Sequence, residues 1–516
     1  MMKLDALCIA VCWVFATTGI TYSSNASNPP AVGRAGFHED RPFVQDFAEK
    51  IPLCEELSGA ELSAVRCDRN GRILVLSNKG LLQLSNGQLV PDRQYRPLLD
   101  MKIRGLDTYR DLSGNSDPNS SVLTDQFVYL TDELVFANAW AGRFSVRHGV
   151  PDAGLFRMGS DFGFLLAGKD TLGFFSEGKC VDTFETAQPV RQLLFDPARS
   201  RYLLLGENQL DCFVPGKKVT KVFEGRNLNC LELIRQAARR QPGIAGLTGD
   251  GSIIIGTPEG YIELDADSFG RKSAPQKKLP CTDIRCIKQI GESLWFGTSG
   301  GAFSLHNDDR IDYYASKRWL PDDSVIDISK GPDNSVLVLC QTGLSIIRFE
   351  PMTLQQKAEH FDKLTRERHI RHGLNSGLAM ARPGDLSTGT LTDNDNDGLW
   401  TAMYLAGELF RYAVTESQEA LQNCYESFEA MERLSTVDPI EGFPSRSFER
   451  AGYQVSDKSR WQPAKDPNWT WKATTSSDEI VGHFFAYAIF AEVVPDKQWR
   501  DRAVALMDGI MDHIVR

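Results

Sequence analysis

Through the first 350 residues of this 516-residue chain, one short unit recurs: an apolar strand, a polar turn with Gly, a second strand ending in a small residue, then Gly and a third strand. Its clearest copy spans 287–305, reading IKQIGESLWFGTSGGAFSL. Others fall at 65–84, 245–264 and 326–347, and weaker ones at 128–146, 157–175 and 190–213. Strands this short, punctuated by Gly turns, form twisted antiparallel sheets and cannot propagate as helix. One such sheet cannot bury both of its faces, so the copies must stack. Radial stacking leaves only short edges and predicts an all-β propeller of about seven blades over 61–350. A pair of β-sandwiches is the alternative, but sandwiches carry no sequence repeat.

After Pro351 the apolar period changes to three and four. The segment 353–372 is free of Gly and Pro and charged on most sides, and reads as a connecting helix ended by Gly373. Helices are expected over 399–414, with Trp400, Met403, Gly407 and Phe410 in one row, and over 418–434, with Leu421, Cys424, Phe428 and Met431 inward. A second hairpin is expected from 479–494 and 497–515, turning at Pro495. The forty residues between the hairpins show little periodicity, yet hold Phe443, Tyr453, Trp461, Trp469 and Trp471. That is too aromatic for disorder, and a loop covering the helices is expected.

Lys3 followed by an apolar run over 6–20 reads as a secretion signal ending near Ala26, which predicts a secreted or periplasmic protein clear of the membrane after cleavage. The domain plan is then signal 1–26, extension 27–60, propeller 61–350, linker with helix 351–398 and helical hairpins 399–516. A net charge of −11 without a basic stripe excludes nucleic acid as the partner. Eleven cysteines show no Cys-x-x-Cys pair or zinc spacing, and Cys281 with Cys286 is the closest pair in the exported part.

The run LWFGT at 294–298, followed by Gly300 and Gly301, resembles the two-component-regulator type of propeller repeat. That resemblance implies a sensor of carbohydrate, or a scaffold in an exported carbohydrate-active enzyme. Trp295 and Phe296 alternate into the expected blade core. The hairpins resemble the opening of the α/α-toroid of polysaccharide lyases and glycoside hydrolases, an all-α ring of six hairpins. This chain supplies about two and stops inside an amphipathic helix, so an incomplete toroid is expected, either a fragment or truncated copy of the ring or one whose exposed helix faces dock on the propeller or a protein partner.

The run DNDNDG at 393–398 places oxygen ligands at alternate positions, like the first half of a calcium loop, which would make Asp393, Asp395 and Asp397 ligands. Tyr404 stands where the bidentate Glu should be, so an acidic N-cap without any cofactor is the competing reading. The toroid resemblance implies carboxylates at the mouth of the ring. On that basis Asp395, Asp397, Tyr404 and Glu408 are candidate catalytic residues, with a Glu479, His483 and Tyr487 row suited to proton abstraction beside a uronic carboxylate. Ser476 and Glu479 also form a capping box, and His483 among Phe484 and Phe485 also suits a core position. Arg446 is a candidate for binding a substrate carboxylate through its fork. Trp400, Trp461, Trp469 and Trp471 are candidate platforms for sugar rings. The expected partner is a carbohydrate, with an acidic polysaccharide cleaved by lyase or hydrolase chemistry; a non-catalytic sensor or protein-interaction propeller with a truncated helical domain is the alternative.

Overall fold

The computed structural model describes residues 40–516 except 96–97, 99, 110–124, 187 and 235–250. The expected signal and the first part of the 245–264 repeat lie outside the described residues. The chain divides into two compact units, one of residues 42–352 with 382–386 and one holding 353–381 and 387–516.

In the first unit, seven antiparallel sheets are present among the described residues, at 62–91, 105–147, 155–185, 192–224, 230–265, 284–314 and 325–352. Their innermost strands touch in sequence, Leu62–Cys67 to Gly105–Tyr109 and onward to Val325–Lys330, which returns to Leu62–Cys67. Sheets arranged in such a closed cycle form a β-propeller. Second strands such as Val336–Cys340 are buried on both faces, because blades pack on either side, and so read as continuous apolar runs. Trp295 and Phe296 lie in this blade-to-blade core.

The small residue and the Gly of each repeat have one job between them. The Ser77, Thr257 and Thr298 hydroxyls each donate to the carbonyl three residues on, at Gly80, Gly260 and Gly301. Each also accepts from the amide two residues on, closing the turn from both sides. The three glycines sit at φ of +102°, +120° and +112°, where a side chain is strained. Polar side chains lace neighbouring inner strands. Asp327 accepts from the Val65 amide at 3.0 Å and pairs with Arg66. Asp107 takes Arg157 at 3.0 Å. Gln192 exchanges two bonds with the Leu231 backbone, and Lys288 lies 3.6 Å from Glu232.

The sequence assigned 27–60 to an extension outside the propeller. Instead Phe43–Pro52 pairs antiparallel along the whole of Gly343–Met352, from Phe43 with Met352 to Pro52 with Gly343. A strand from the start of the unit thus completes its last sheet.

The helical unit begins with α1, Leu354–Arg368. Its N-terminus carries a full capping box between Thr353 and Gln356. The helix stops at His369, short of the expected Gly373. Ile370–Arg371 and Leu374–Asn375 then form a two-residue hairpin whose turn, His372 and Gly373, has φ of +54° and +85°. Gly373 serves that turn, and the backbone pairing outcompetes a helix cap. No residue of α1 is buried, so caps count heavily in its stability. Thr353→Ala is expected to destabilise α1 by about 1 kcal/mol, checked by faster amide exchange in its first turn with the rest of the unit unchanged.

Two hairpins follow, α2 (Asp397–Thr415) with α3 (Gln418–Leu434), and α4 (Ser477–Val493) with α5 (Lys497–Val515). Their common core includes Ala402, Leu405, Leu409, Cys424, Phe428, Met431, Tyr487 and Phe490. Phe428 stacks on Phe490 at 4.2 Å. The row expected to lead the packing of α2 faces outward instead, with Trp400, Met403 and Phe410 about half exposed. The buried stripe of Ala402, Leu405 and Leu409 lets α4 approach closely, and the bulky row does not. The aromatic segment between hairpins is not merely loop. It folds into a three-stranded sheet ordered Phe448–Arg450, Trp469–Lys472, Trp461–Pro463.

Candidate functional site

The N-termini of α2 and α4 lie together because two glycines let the helices touch. A Cβ on Gly482 would stand 3.0 Å from Leu399 Cα, and one on Gly398 would stand 2.0 Å from Glu479 Oε1. Into that contact α2 brings Asp397, and α4 brings Glu479 and His483, all three buried. Ser476 caps α4 by accepting from the Glu479 amide. The Glu479 carboxylate reaches across to accept from the Leu399 amide at 3.2 Å, so one side chain sits at two helix starts.

Asp397 is gripped by groups the sequence did not nominate. Arg371, from the short hairpin after α1, donates to Asp397 at 2.6 Å, to Glu449 at 2.7 Å, to the Ser447 hydroxyl and to the Phe448 carbonyl. Ser447 also donates to Asp397 at 2.5 Å. Burial pushes Asp397 up to about 6 against the pull of Arg371. Burial, with Asp397 adding to it, pushes Glu479 up to about 8 against the pull of the Leu399 amide. Burial holds His483 down at about 4. A carbonyl can only accept, so His483 Nδ1, 2.9 Å from the Glu479 carbonyl, carries the proton and Nε2 is the basic nitrogen. Asp397 Oδ1, Glu479 Oε1 and His483 Nε2 are buried without hydrogen-bond partners among the described residues.

The calcium reading of 393–398 does not fit the residues around it. Lys472, 1% exposed, places its ammonium 3.0 Å from Asp393 and 2.7 Å from Asp395. Arg460 takes a second oxygen of Asp395 at 2.8 Å. A protein cation therefore stands where the ion would, and Asp397 turns away to Arg371. Among the described residues no group of His, Cys, Asp or Glu is arranged to hold a metal ion. Lys472 and Arg460 hold Asp395 down at about 2, which leaves it ionised and a poor proton donor.

Arg446 spends its fork inside the protein. It donates to the Asp395 carbonyl, Asn396 Oδ1, the Thr475 carbonyl and Thr474 Oγ1. It thereby ties the residues before α2 to those before α4, and no donor pair is left for a substrate carboxylate. Tyr404 and Glu408 belong to a different network. Tyr404 donates to Asp362 of α1, and Glu408 accepts from Asn423 of α3 and from Arg411. Tyr487 is buried in the helical core against Phe428, its hydroxyl held well above the usual range by burial.

Of the tryptophans, Trp471 is buried and Trp461 donates to the Ser456 carbonyl. Trp469 carries the Arg433 guanidinium 4.1 Å from its ring centre and that of Arg450 at 4.8 Å. Trp400 alone of the four keeps about half its surface open. An open concavity of this unit lies elsewhere. It is a cavity of about 440 Å³ whose wall includes Glu426, Glu429, Glu432, Arg433, His372 and Trp469. Arg366 pairs with Glu426 and Arg502 with Glu432, while Glu429 is exposed. No periodic signal marked Arg371, Ser447, Glu449 or Lys472, because each acts from a hairpin, a short strand or the residue beside one on a partner far along the chain. All nine cysteines among the described residues are free, Cys281 and Cys286 included. No described helix is long and apolar enough to cross a membrane.

No family model matches this chain. Nor does any curated protein. Among solved structures it is similar to the extracellular domain of BT4673 from B. thetaiotaomicron, at 15% identity and a TM-score of 0.42 over 58% of this chain and 39% of that one. The chain thus spans about two fifths of that domain's length. It is also similar to the Neurospora crassa Pan2 WD40 domain (12% identity, TM-score 0.43, 62% of this chain and 98% of that). A third is a streptogramin B lyase (12% identity, TM-score 0.41, 61% and 100%).

Proposed function

We propose that this chain is an exported recognition protein: a seven-bladed propeller joined to two hairpins of the α/α-toroid type, binding a glycan without cleaving it. The observation that carries this reading is the state of the candidate catalytic groups. Asp397, Glu408, Glu479 and His483 are buried, and Asp395 is held ionised between Lys472 and Arg460. A general acid or base must reach the substrate within hydrogen-bond distance, directly or through one water. Export rests on the N-terminal segment, and the carbohydrate class on the resemblance of the 294–298 repeat.

The cavity beside α3 favours a neutral or amino sugar over an acidic one. Its wall includes His372 and Trp469 and offers the exposed carboxylate of Glu429 as an acceptor for sugar hydroxyls, while Glu426 and Glu432 are engaged by Arg366 and Arg502. A uronic carboxylate can only accept and gains nothing from Glu429, whereas a hydroxyl or an amine donates to it. Screening neutral, amino and uronic oligosaccharides by calorimetry and by product release is expected to give millimolar to micromolar binding of a non-acidic glycan. Glu429→Gln weakens that binding several-fold, and no new reducing ends or unsaturated products form. Release of product from any of them, lost on Glu479→Gln, would replace this reading with the lyase or hydrolase one.

A further inference from the structure

We propose that the outward face of α2 and α4 is a self-association surface, on which a second copy of this chain lays its own α2 antiparallel across Gly407. On α2 every exposed position from Trp400 to Val414 is uncharged: Trp400, Met403, Gly407, Phe410, Ala413 and Val414. Val481, Phe485 and Ala488 continue that surface on the neighbouring α4. A solvated helix face carries charge, as α1 does with Glu359 and Lys363. Exposure of its large side chains runs from 40% at Phe485 to 84% at Val414. Together these side chains present on the order of 600 Å² of apolar surface, at the upper end of what a typical monomer shows as one patch, where such patches are often functional. That approaches the roughly 800 Å² per partner of a standard stable interface.

The occupant is read from the order of residues. Positions 400, 403, 407, 410 and 414 step by three and four, the seam of a helix that packs along another helix. Gly407 is at the midpoint of that seam. Gly398 and Gly482 are needed by contacts within the chain, whereas a Cβ on Gly407 would meet nothing within 4 Å. Gly is the poorest helix former after Pro, so a mid-helix Gly facing open space suits close approach by something outside the chain. About a two-fold axis at Gly407, an antiparallel second α2 sets Trp400 near Val414 and Met403 near Phe410. Large thus meets small at the ends, and the two glycines let the backbones cross. A face that complements itself in this way is what a two-fold interface requires.

Sedimentation velocity on the full chain at micromolar concentration is expected to give twice the chain mass. Phe410→Asp and Met403→Asp are each expected to weaken the dimer at least tenfold while helical circular dichroism is retained. In a Cys180→Ser background, Gly407→Cys is expected to cross-link to its counterpart under mild oxidation. Val414→Cys, at the far end of the seam, does not. A chain that stays monomeric through high micromolar concentration overturns the proposal, whatever other protein it captures. So does a dimer that survives both aspartates, or one cross-linked by Val414→Cys and not by Gly407→Cys.

Discussion

Replacing Arg371 with Met is expected to destabilise the helical unit by roughly 3–5 kcal/mol, the cost of stranding buried charge when one partner of an ion pair is removed. Arg371 is 6% exposed on its side chain and holds Asp397 and Glu449, both also buried. Nothing else among the described residues supplies a cation to Asp397. Methionine fills much of the volume, so the loss reports on charge more than on packing. Arg371→Lys keeps the charge but cannot reach Asp397, Glu449 and the Phe448 carbonyl at once, and an intermediate loss is expected. The measurement is urea unfolding followed at 222 nm, where the helices dominate the signal. Because Asp397 titrates at about 6 even with Arg371 in place, the penalty of Arg371→Met shrinks at pH 5, where the carboxyl takes a proton. An equal loss at pH 5 and pH 8 would mean that Arg371 acts by packing.

The helical unit is also expected to lose stability as pH rises from 6.5 to 8, by about 2 kcal/mol, with Glu479 as the source. In the unfolded chain Glu479 gives up its proton near 4.5, while in the folded one it keeps it to about 8. Between those values the folded state binds more protons, so its stability is complete below 4.5 and falls as pH rises through 8. Two other groups of the cluster act mainly at lower pH. Asp397, raised from 3.8 to about 6, acts in the same sense up to 6. His483, lowered from 6.5 to about 4, acts in the opposite sense, since the unfolded state binds more protons there. Above 6.5 each contributes only a few tenths of a kcal/mol, in opposite senses, and Glu479 dominates. Glu479→Gln should therefore flatten the urea midpoint across pH 6.5 to 8, whereas His483→Gln should leave that slope in place. A slope unchanged in Glu479→Gln would place the titrating group elsewhere.

The cluster behind these two predictions was half legible. Asp397 was nominated through the toroid resemblance, and Glu479 and His483 because positions four apart share a helix face, a local rule. What they touch was not legible. Arg371 lies 26 residues from Asp397, and Arg446 lies 51 residues from the Asp395 carbonyl it holds. Lys472 occupies the centre of a run that resembled a cation loop, and nothing near 393–398 announced it. The outward turn of Trp400, Met403 and Phe410 has a similar origin. One helix carries two apolar rows, and periodicity alone cannot say which of them meets a neighbour.

Local chemistry made the repeated blade readable from the chain alone, since each copy needs only its own alternating strands, a hydroxyl to close the turn and a Gly at positive φ. The same holds for the five long helices of the second unit and for the Ser476 cap of α4, though not for the end of α1, which the sequence placed at Gly373. Tertiary structure alone decided that Phe43–Pro52 closes the last sheet against a strand some 300 residues away. It also decided which charges pair and which carboxylates are shut away from water. Those outcomes depend on distances between segments remote in sequence, and burial in the assembled core sets both the partners and the proton affinities of the groups placed there.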